Sequence, residues 1–255
     1  MTPDSFSDGG SYASVDDAVK HGIQMVSDGA DLLDVGGEST RPGSDPVPAD
    51  EELARVVPVI RRLTHELPDT PVSVDTRKAE VALSALEVGA AIVNDITAGG
   101  DPEMFQAVRQ AQAGMVLMHM KGEPKSMQED PTYYDVVAEV RGALGERVEA
   151  AVAAGIGLDR LCIDPGLGFG KTLEHNLALL RDIDALHHLE VPVLVGPSRK
   201  RFVGTLTDTE VDDRVGGTAG VVAWCAARGV DIVRVHDVKE MVRVIRVVDA
   251  INRGT

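Results

Sequence analysis

The chain has no apolar run of roughly 18 residues or more, so no transmembrane helix is expected. Its first ten residues, MTPDSFSDGG, lack the basic region and the apolar stretch of a signal peptide. Cysteine is nearly absent: only Cys162 and Cys225 occur, far apart and without metal-type spacing. Both lie in apolar runs, "LCI" and "AWCAA", which implies two buried reduced thiols and fits a cytoplasmic setting. Cations are also few. Lys and Arg number 25 against 41 Asp and Glu, a net charge of −16. That balance excludes nucleic acid as a partner and makes any local cluster of cations conspicuous.

A further absence concerns "DPGLGFGKT", Asp164 to Thr172. It ends like a phosphate-binding P-loop, but that motif needs four residues between its first glycine and the Gly-Lys pair. Gly166 and Gly170 enclose three, and Pro165 stands where the first glycine belongs. Proline has no N–H to offer a phosphate, so the segment serves another purpose.

What the chain does contain is regular. Seven continuous apolar runs recur: 31–35, 71–75, 91–95, 114–120, 161–165, 192–196 and 231–236. Continuous rather than alternating runs suit parallel strands covered on both faces. Eight helical patterns lie around them, the first with Ser14 as candidate N-cap and an end at Gly29. The second contains Pro58, which predicts a kink or a late start. No linker breaks the chain, so residues 1–255 read as one domain. Both a closed barrel and an open doubly wound sheet fit this alternation. Polar residues cluster where nearly every run ends: Gly36–Gly43, Asp75–Arg77, Asn94–Asp95, Met118–Met120, Asp164, Ser198–Phe202 and Arg234–Asp237. Groups from seven successive strands converge more easily around a ring, which favours the barrel.

Each signal has a plainer counterpart. Asp75 could be a helix cap, and Asn94–Asp95 could be turn chemistry. Met118 and Met120 could be core, and His119 an interior histidine. His236 with Asp237 could form a cap. The Ser198–Arg201 run could be a solvated basic patch. Against a charge of −16, however, Arg41, Lys200, Arg234 and His236 would form a positive spot suited to an anionic substrate.

The segments "TPDSFSDGG", "DVGGESTRPG", "SVDT", "VNDI", "LMHMKGEPKSMQ", "DPGLGFGK", "GPSRK" and "RVHDV" resemble the motif series of the dihydropteroate synthases, in order, from residue 2 to about residue 250. The resemblance implies a TIM barrel, with one strand fewer here: seven strands and eight helices. It implies condensation of 6-hydroxymethyl-7,8-dihydropterin pyrophosphate with p-aminobenzoate, sulfonamides as mimics of the latter, a Mg²⁺ cofactor and a homodimer. By the same resemblance, Asp75, Asn94, Met118, Asp164, Phe169, Lys200 and Arg234 would hold the pterin. Phe6, Thr40, Arg41, Pro42 and Ser198 would hold p-aminobenzoate, and Arg234 with His236 the pyrophosphate. Asp75, Lys200, Arg234 and His236 would carry the catalysis.

One departure bears on the metal. The family's first loop reads Asn-x-Thr-Pro-Asp-Ser-Phe after a short strand, and Met1 occupies the x position. The Mg²⁺-contacting asparagine and that strand would precede Met1, so no metal ligand is identified. A start at an internal methionine is the preferred explanation over a short paralogue. The expectation is an incompletely closed barrel, open between 31–35 and 231–236, and less stable than one with the strand restored. Two rival readings are a pterin-binding homologue without turnover and a pterin-dependent methyltransferase domain. No corrinoid-binding segment follows to support the latter.

Overall fold

The computed structural model describes residues 15–39 and 43–254. Ser14, the expected first N-cap, lies outside them. The chain divides into two compact units, Met1–Met118 with Arg147–Leu161, and His119–Glu146 with Cys162–Thr255.

In the first unit, helix α1 (Val15–Ser27) precedes strand β1 (Leu33–Gly36). Then α2 (Ala49–Glu66), β2 (Val72–Asp75), α3 (Ala79–Glu87), β3 (Ile92–Asp95), α4 (Met104–Ala111) and β4 (Gly114–Met118) alternate. The four strands are parallel neighbours in sequence order, with Val35 opposite Val74, Val74 opposite Val93 and Val93 opposite Met115. All four residues of β2 are buried, as a strand covered on both faces requires. Ile60, Leu63, Val81, Met104 and Val108 pack the helices onto this sheet with no exposed surface. Acidic residues Asp50, Glu51 and Glu52 occupy the first turn of α2, where the helix dipole favours them. This helix starts at Ala49 and continues through Pro58, so the late start does not occur.

Helix α5 (Val136–Ala153) runs from the second unit's sequence into the first. The second unit continues with β5 (Leu161–Asp164), α6 (Leu173–Arg181), β6 (Leu194–Val195), α7 (Arg201–Thr207), α8 (Val215–Ala227), β7 (Ile232–Val233) and α9 (Val238–Arg253). A parallel bridge joins Ile163 to Val193, and β6 pairs with β7 through Leu194–Ile232 and Val195–Val233. Thr172 caps α6 in a reciprocal box with His175, accepting from its N–H at 3.3 Å. The threonine of the P-loop look-alike is therefore a helix cap. Trp224, on α8, donates its indole N–H to Leu180 O at 2.6 Å.

The described residues contain the seven expected strands and nine α-helices, one more than the eight read from the sequence. The addition is α7, seven residues long, which begins within the polar cluster Ser198–Phe202, where the sequence shows no helical pattern. Both cysteines are buried, and burial pushes each thiol up to about 12. Among the described residues no helix is long and apolar enough to cross a membrane.

Candidate active site

In the first unit the strand ends present carboxylates and amides side by side. Parallel register sets Asp75 opposite Asn94 and Asp34 opposite Ser73. Ser73 Oγ donates to Asp34 Oδ1, and Asn94 Nδ2 reaches Asp34 Oδ2 at 3.4 Å. Asp75 and Asn94 are both buried, 6% and 7% exposed, so their polarity serves the interior of this unit rather than its solvation. Asp75 is not a helix cap: Lys78 holds that position on α3, and Asp101 Oδ2 accepts the N–H of Ala79 at 2.9 Å. Asp95 is the turn residue of its pair. It accepts from Thr97 N at 2.8 Å, Thr97 Oγ1 at 2.7 Å and Gly99 N at 2.7 Å. Burial raises its pKa, and those three donors partly offset the rise. Met118 ends β4 and is buried.

The "GGESTRPG" loop leaves β1 along a buried charge cluster. Glu38 pairs with Arg77 at 2.9 Å and with Lys78, which also contacts Glu52. Ser44 Oγ donates to Ser39 O at 2.6 Å, and Val47 N–H to Glu38 Oε2 at 3.3 Å, which ties the base of the loop. Thr40, Arg41, Pro42 and Phe6 lie outside the described residues.

The second unit brings the remaining candidates together. Asp164 ends β5, 6% exposed, and its Oδ1 accepts the N–H of Gly166 at 2.7 Å. Burial raises its carboxyl pKa; Lys200, the Gly166 N–H, Lys171 and Arg234 pull it back toward the ionised form. Lys200 Nζ donates to Leu167 O and stands 4.6 Å from the centre of the Phe169 ring. That distance is within cation–π range. Arg234 follows β7, its N–H on Val195 O at 2.9 Å. His236 places its backbone N–H 3.1 Å and its Nδ1 2.9 Å from Ser198 Oγ. Desolvation, then the Arg234 charge, lowers the His236 imidazole to about 4, so the ring is neutral near pH 7. Asp237 is taken by Arg199, which grips it at 3.0 Å (Nε to Oδ2) and 2.5 Å (Nη2 to Oδ1).

The sequence reading missed Asp34, the Glu38–Lys78–Glu52 cluster, the Arg199–Asp237 pair and Lys171. The register opposite Ser73 would have pointed to Asp34, and the +54° φ of Arg199 has no sequence signal at all.

The sequence profile of the pterin binding enzymes matches residues 1–236. The dihydropteroate synthase of Escherichia coli (strain K12) is 46% identical over 250 residues, covering 98% of this chain and 88% of the relative. Among solved structures, a Yersinia pestis dihydropteroate synthase with a sulfonamide drug superposes with a TM-score of 0.95 at 44% identity, covering 100% of this chain and 92% of that one. A Xanthomonas albilineans dihydropteroate synthase with 4-aminobenzoic acid gives 0.92 at 48%, covering 98% and 90%. At this level of likeness the fold class is shared, a parallel α/β fold of the TIM-barrel type.

Proposed function

The chain belongs to the pterin binding enzymes, and from that premise we propose how its residues divide the work of a dihydropteroate synthase. The reaction is a transferase step of folate biosynthesis. It condenses 6-hydroxymethyl-7,8-dihydropterin pyrophosphate with p-aminobenzoate and releases pyrophosphate.

The observation that carries the assignment is Asp164, a buried carboxylate in the field of Lys200, Lys171 and Arg234. A carboxylate accepts two parallel hydrogen bonds, which matches the amino group and ring N–H of a pterin edge. Asn94 and Asp75 complete that edge. Met118, Phe169 and the Arg234 guanidinium line the ring faces, and Lys200 donates to the pterin's acceptors. Ser198 serves p-aminobenzoate with Phe6, Thr40, Arg41 and Pro42. Sulfonamides would occupy the same place.

Arg234 and His236 hold the pyrophosphate in different ways. Arg234 supplies charge, whereas His236 is neutral and acts as a hydrogen-bond donor. Ser198 Oγ already accepts the backbone N–H of His236, which suits its hydroxyl to donate to Nδ1. The ring proton then sits on Nε2, free to meet a phosphate oxygen. The bond from the pterin methylene to oxygen breaks with its electron pair leaving on pyrophosphate. The carboxylate of Asp75 stabilises the resulting cation, and the neutral aryl amine attacks it and sheds a proton.

Mg²⁺ would arrive with the pyrophosphate. Among the described residues no group of three His, Cys, Asp or Glu side chains forms a metal cage. Mg²⁺ is commonly held by phosphate oxygens, waters and one or two protein ligands, so the donor set fits a substrate-borne ion. It would neutralise charge on the leaving group. The family profile covers residues 1–236, within both units, and residues 1–255 are read as one catalytic domain; the two buried thiols fit a cytoplasmic setting. A homodimer built on the last helices is supported by the exposed apolar side chains of Trp224, Val247 and Ile251.

The test is pyrophosphate release by this chain with the pterin substrate and Mg²⁺. Release that depends on p-aminobenzoate is expected. Release indifferent to p-aminobenzoate, or none, would overturn the reading.

A further inference from the structure

The turn after β5 carries three glycines at alternate positions in left-handed backbone: Gly166 (φ 64°), Gly168 (φ 80°) and Gly170 (φ 61°). Glycine adopts this geometry readily but holds it weakly. The shape must be fixed from outside. Four consecutive carbonyls of the turn each accept from a different side chain. Leu167 O takes Lys200 Nζ, and Gly168 O takes Gln128 Nε2. Phe169 O takes Lys171 Nζ at 3.0 Å, and Gly170 O takes the Tyr133 hydroxyl at 3.0 Å. From the other side, Asn176 Oδ1 accepts the N–H of Gly168 at 2.7 Å.

Lys171 is the centre of this arrangement. It is 3% exposed, and a buried ammonium is costly unless each of its three donors is met. Here they are met by Phe169 O, by His119 Nδ1 at 3.0 Å and by His119 O at 3.3 Å. The lysine thus ties the segment following β4 to the glycine turn. The two backbones are pressed together: a Cβ at Gly170 would stand 2.2 Å from Lys121 O. Lys121 Nζ in turn lies 4.2 Å from the centre of the Tyr133 ring.

We propose that Lys171, Gln128 and Tyr133 are positioning residues for pterin recognition. They clamp the segment 119–133 onto the turn and so fix where Asp164 and Phe169 meet the pterin. The inference rests on Asp164 being the pterin's partner. Lys200 also donates to a carbonyl of the turn, but it is assigned to the binding machinery itself, whereas these three side chains are assigned no contact with substrate.

The experiment is calorimetric titration of the whole chain with the dihydropterin pyrophosphate and Mg²⁺, for Lys171→Met, Tyr133→Phe, Gln128→Leu and Asp164→Ala. The KM for p-aminobenzoate is measured at saturating pterin. Lys171→Met should weaken pterin binding about tenfold or more and Tyr133→Phe about threefold, as expected for lost hydrogen bonds with and without charge. The KM for p-aminobenzoate should stay within about twofold, and a double Lys171→Met, Tyr133→Phe variant should lose less than the product of the two, because both hold one turn. Lowered melting temperatures with unchanged pterin affinity would mean a merely structural role and would overturn the proposal. If Lys171→Met does not fold, the Tyr133 and Gln128 variants decide it. Asp164→Ala losing pterin while the others keep it refutes the clamp alone; Asp164→Ala keeping pterin refutes the site assignment beneath it.

Discussion

Arg199 holds an unusual position, and its replacement separates two energies. The residue lies between Ser198 and Lys200 with φ +54°, a region costly for any side chain but glycine. It is kept there by a two-point grip on Asp237, at 3.0 and 2.5 Å, by its N–H on Thr218 Oγ1 at 3.1 Å, and by its carbonyl accepting from Arg214 Nη1 at 3.1 Å. The Arg199 side chain is 31% exposed and that of Asp237 14%, so the pair is neither a surface ion pair nor a buried one. Charged hydrogen bonds are worth about 1.5–3 kcal/mol and exposed pairs about 0–1, which puts this pair near 2 kcal/mol. The second acid near Arg199, Asp212, stands 3.7 Å away with its side chain 91% exposed, and contributes little. Arg199→Ala loses the pair and keeps the strained backbone. Arg199→Gly loses the pair and relieves roughly 1 kcal/mol of strain. Glycine should therefore cost less than alanine at this position, opposite to the usual order. At this chain length 1 kcal/mol corresponds to about 2 °C in melting temperature. Denaturant and thermal unfolding of both variants and of Asp237→Ala provide the assay. Equal midpoints for the glycine and alanine variants would refute the strain argument. A cost below about 0.5 kcal/mol for Asp237→Ala would reduce the grip to a surface pair.

Gly170→Ala forces a Cβ to within 2.2 Å of a backbone oxygen at φ 61°, and should cost several kcal/mol, on the order of an overpacked core; a change in urea midpoint within error would contradict the close approach. Arg234→Ala should raise the dissociation constant for pyrophosphate about tenfold or more, measured by calorimetry, as loss of a charged contact implies. Burial first, and then Lys171, lowers His119 to about 3 from an ordinary 6.5. The unfolded chain therefore binds more protons between those values, so this histidine's contribution is full above pH 6.5 and is lost as pH falls toward 3. Lys171, lowered by burial to about 7, is protonated in both states below about pH 6 and adds no slope there. His119→Asn keeps an acceptor near the Nδ1 position, and its unfolding midpoint should fall less than that of the unmodified chain between about pH 6 and 4, where Lys171 adds no slope. Parallel pH curves for the two proteins would disprove the assignment.

Strand positions were legible because burial on both faces leaves continuous apolar runs: Val72–Asp75 and Leu161–Asp164 are buried throughout. Their extents were less so. The runs at 192–196 and 231–236 yield two-residue strands, Leu194–Val195 and Ile232–Val233, which pair with each other, while Val193 makes a single bridge to Ile163. The sequence "RFVGTLT" is too short and too rich in glycine and threonine for its helical period to show, so α7 was missed. One helical pattern broke at Asp182 into α6 and a 3-10 segment, Ile183–Leu189. In the site, residues at strand ends were readable because a parallel sheet places them there. Lys171 was not, because its three acceptors lie on Phe169 and on His119, the latter 52 residues away in sequence.

The sole tryptophan gives this enzyme an optical probe of its own. Trp224 is tied to Leu180 O and lies 4.6 Å under the Arg228 guanidinium, with 42% of its surface exposed. Its emission therefore reports on α8 where it meets α6, in the second compact unit, and on any partner subunit that covers its exposed face. Fluorescence follows that unit, while far-ultraviolet dichroism follows helices in both. Coincident unfolding curves from the two signals would mark a single cooperative transition; separated curves would show the halves melting in turn.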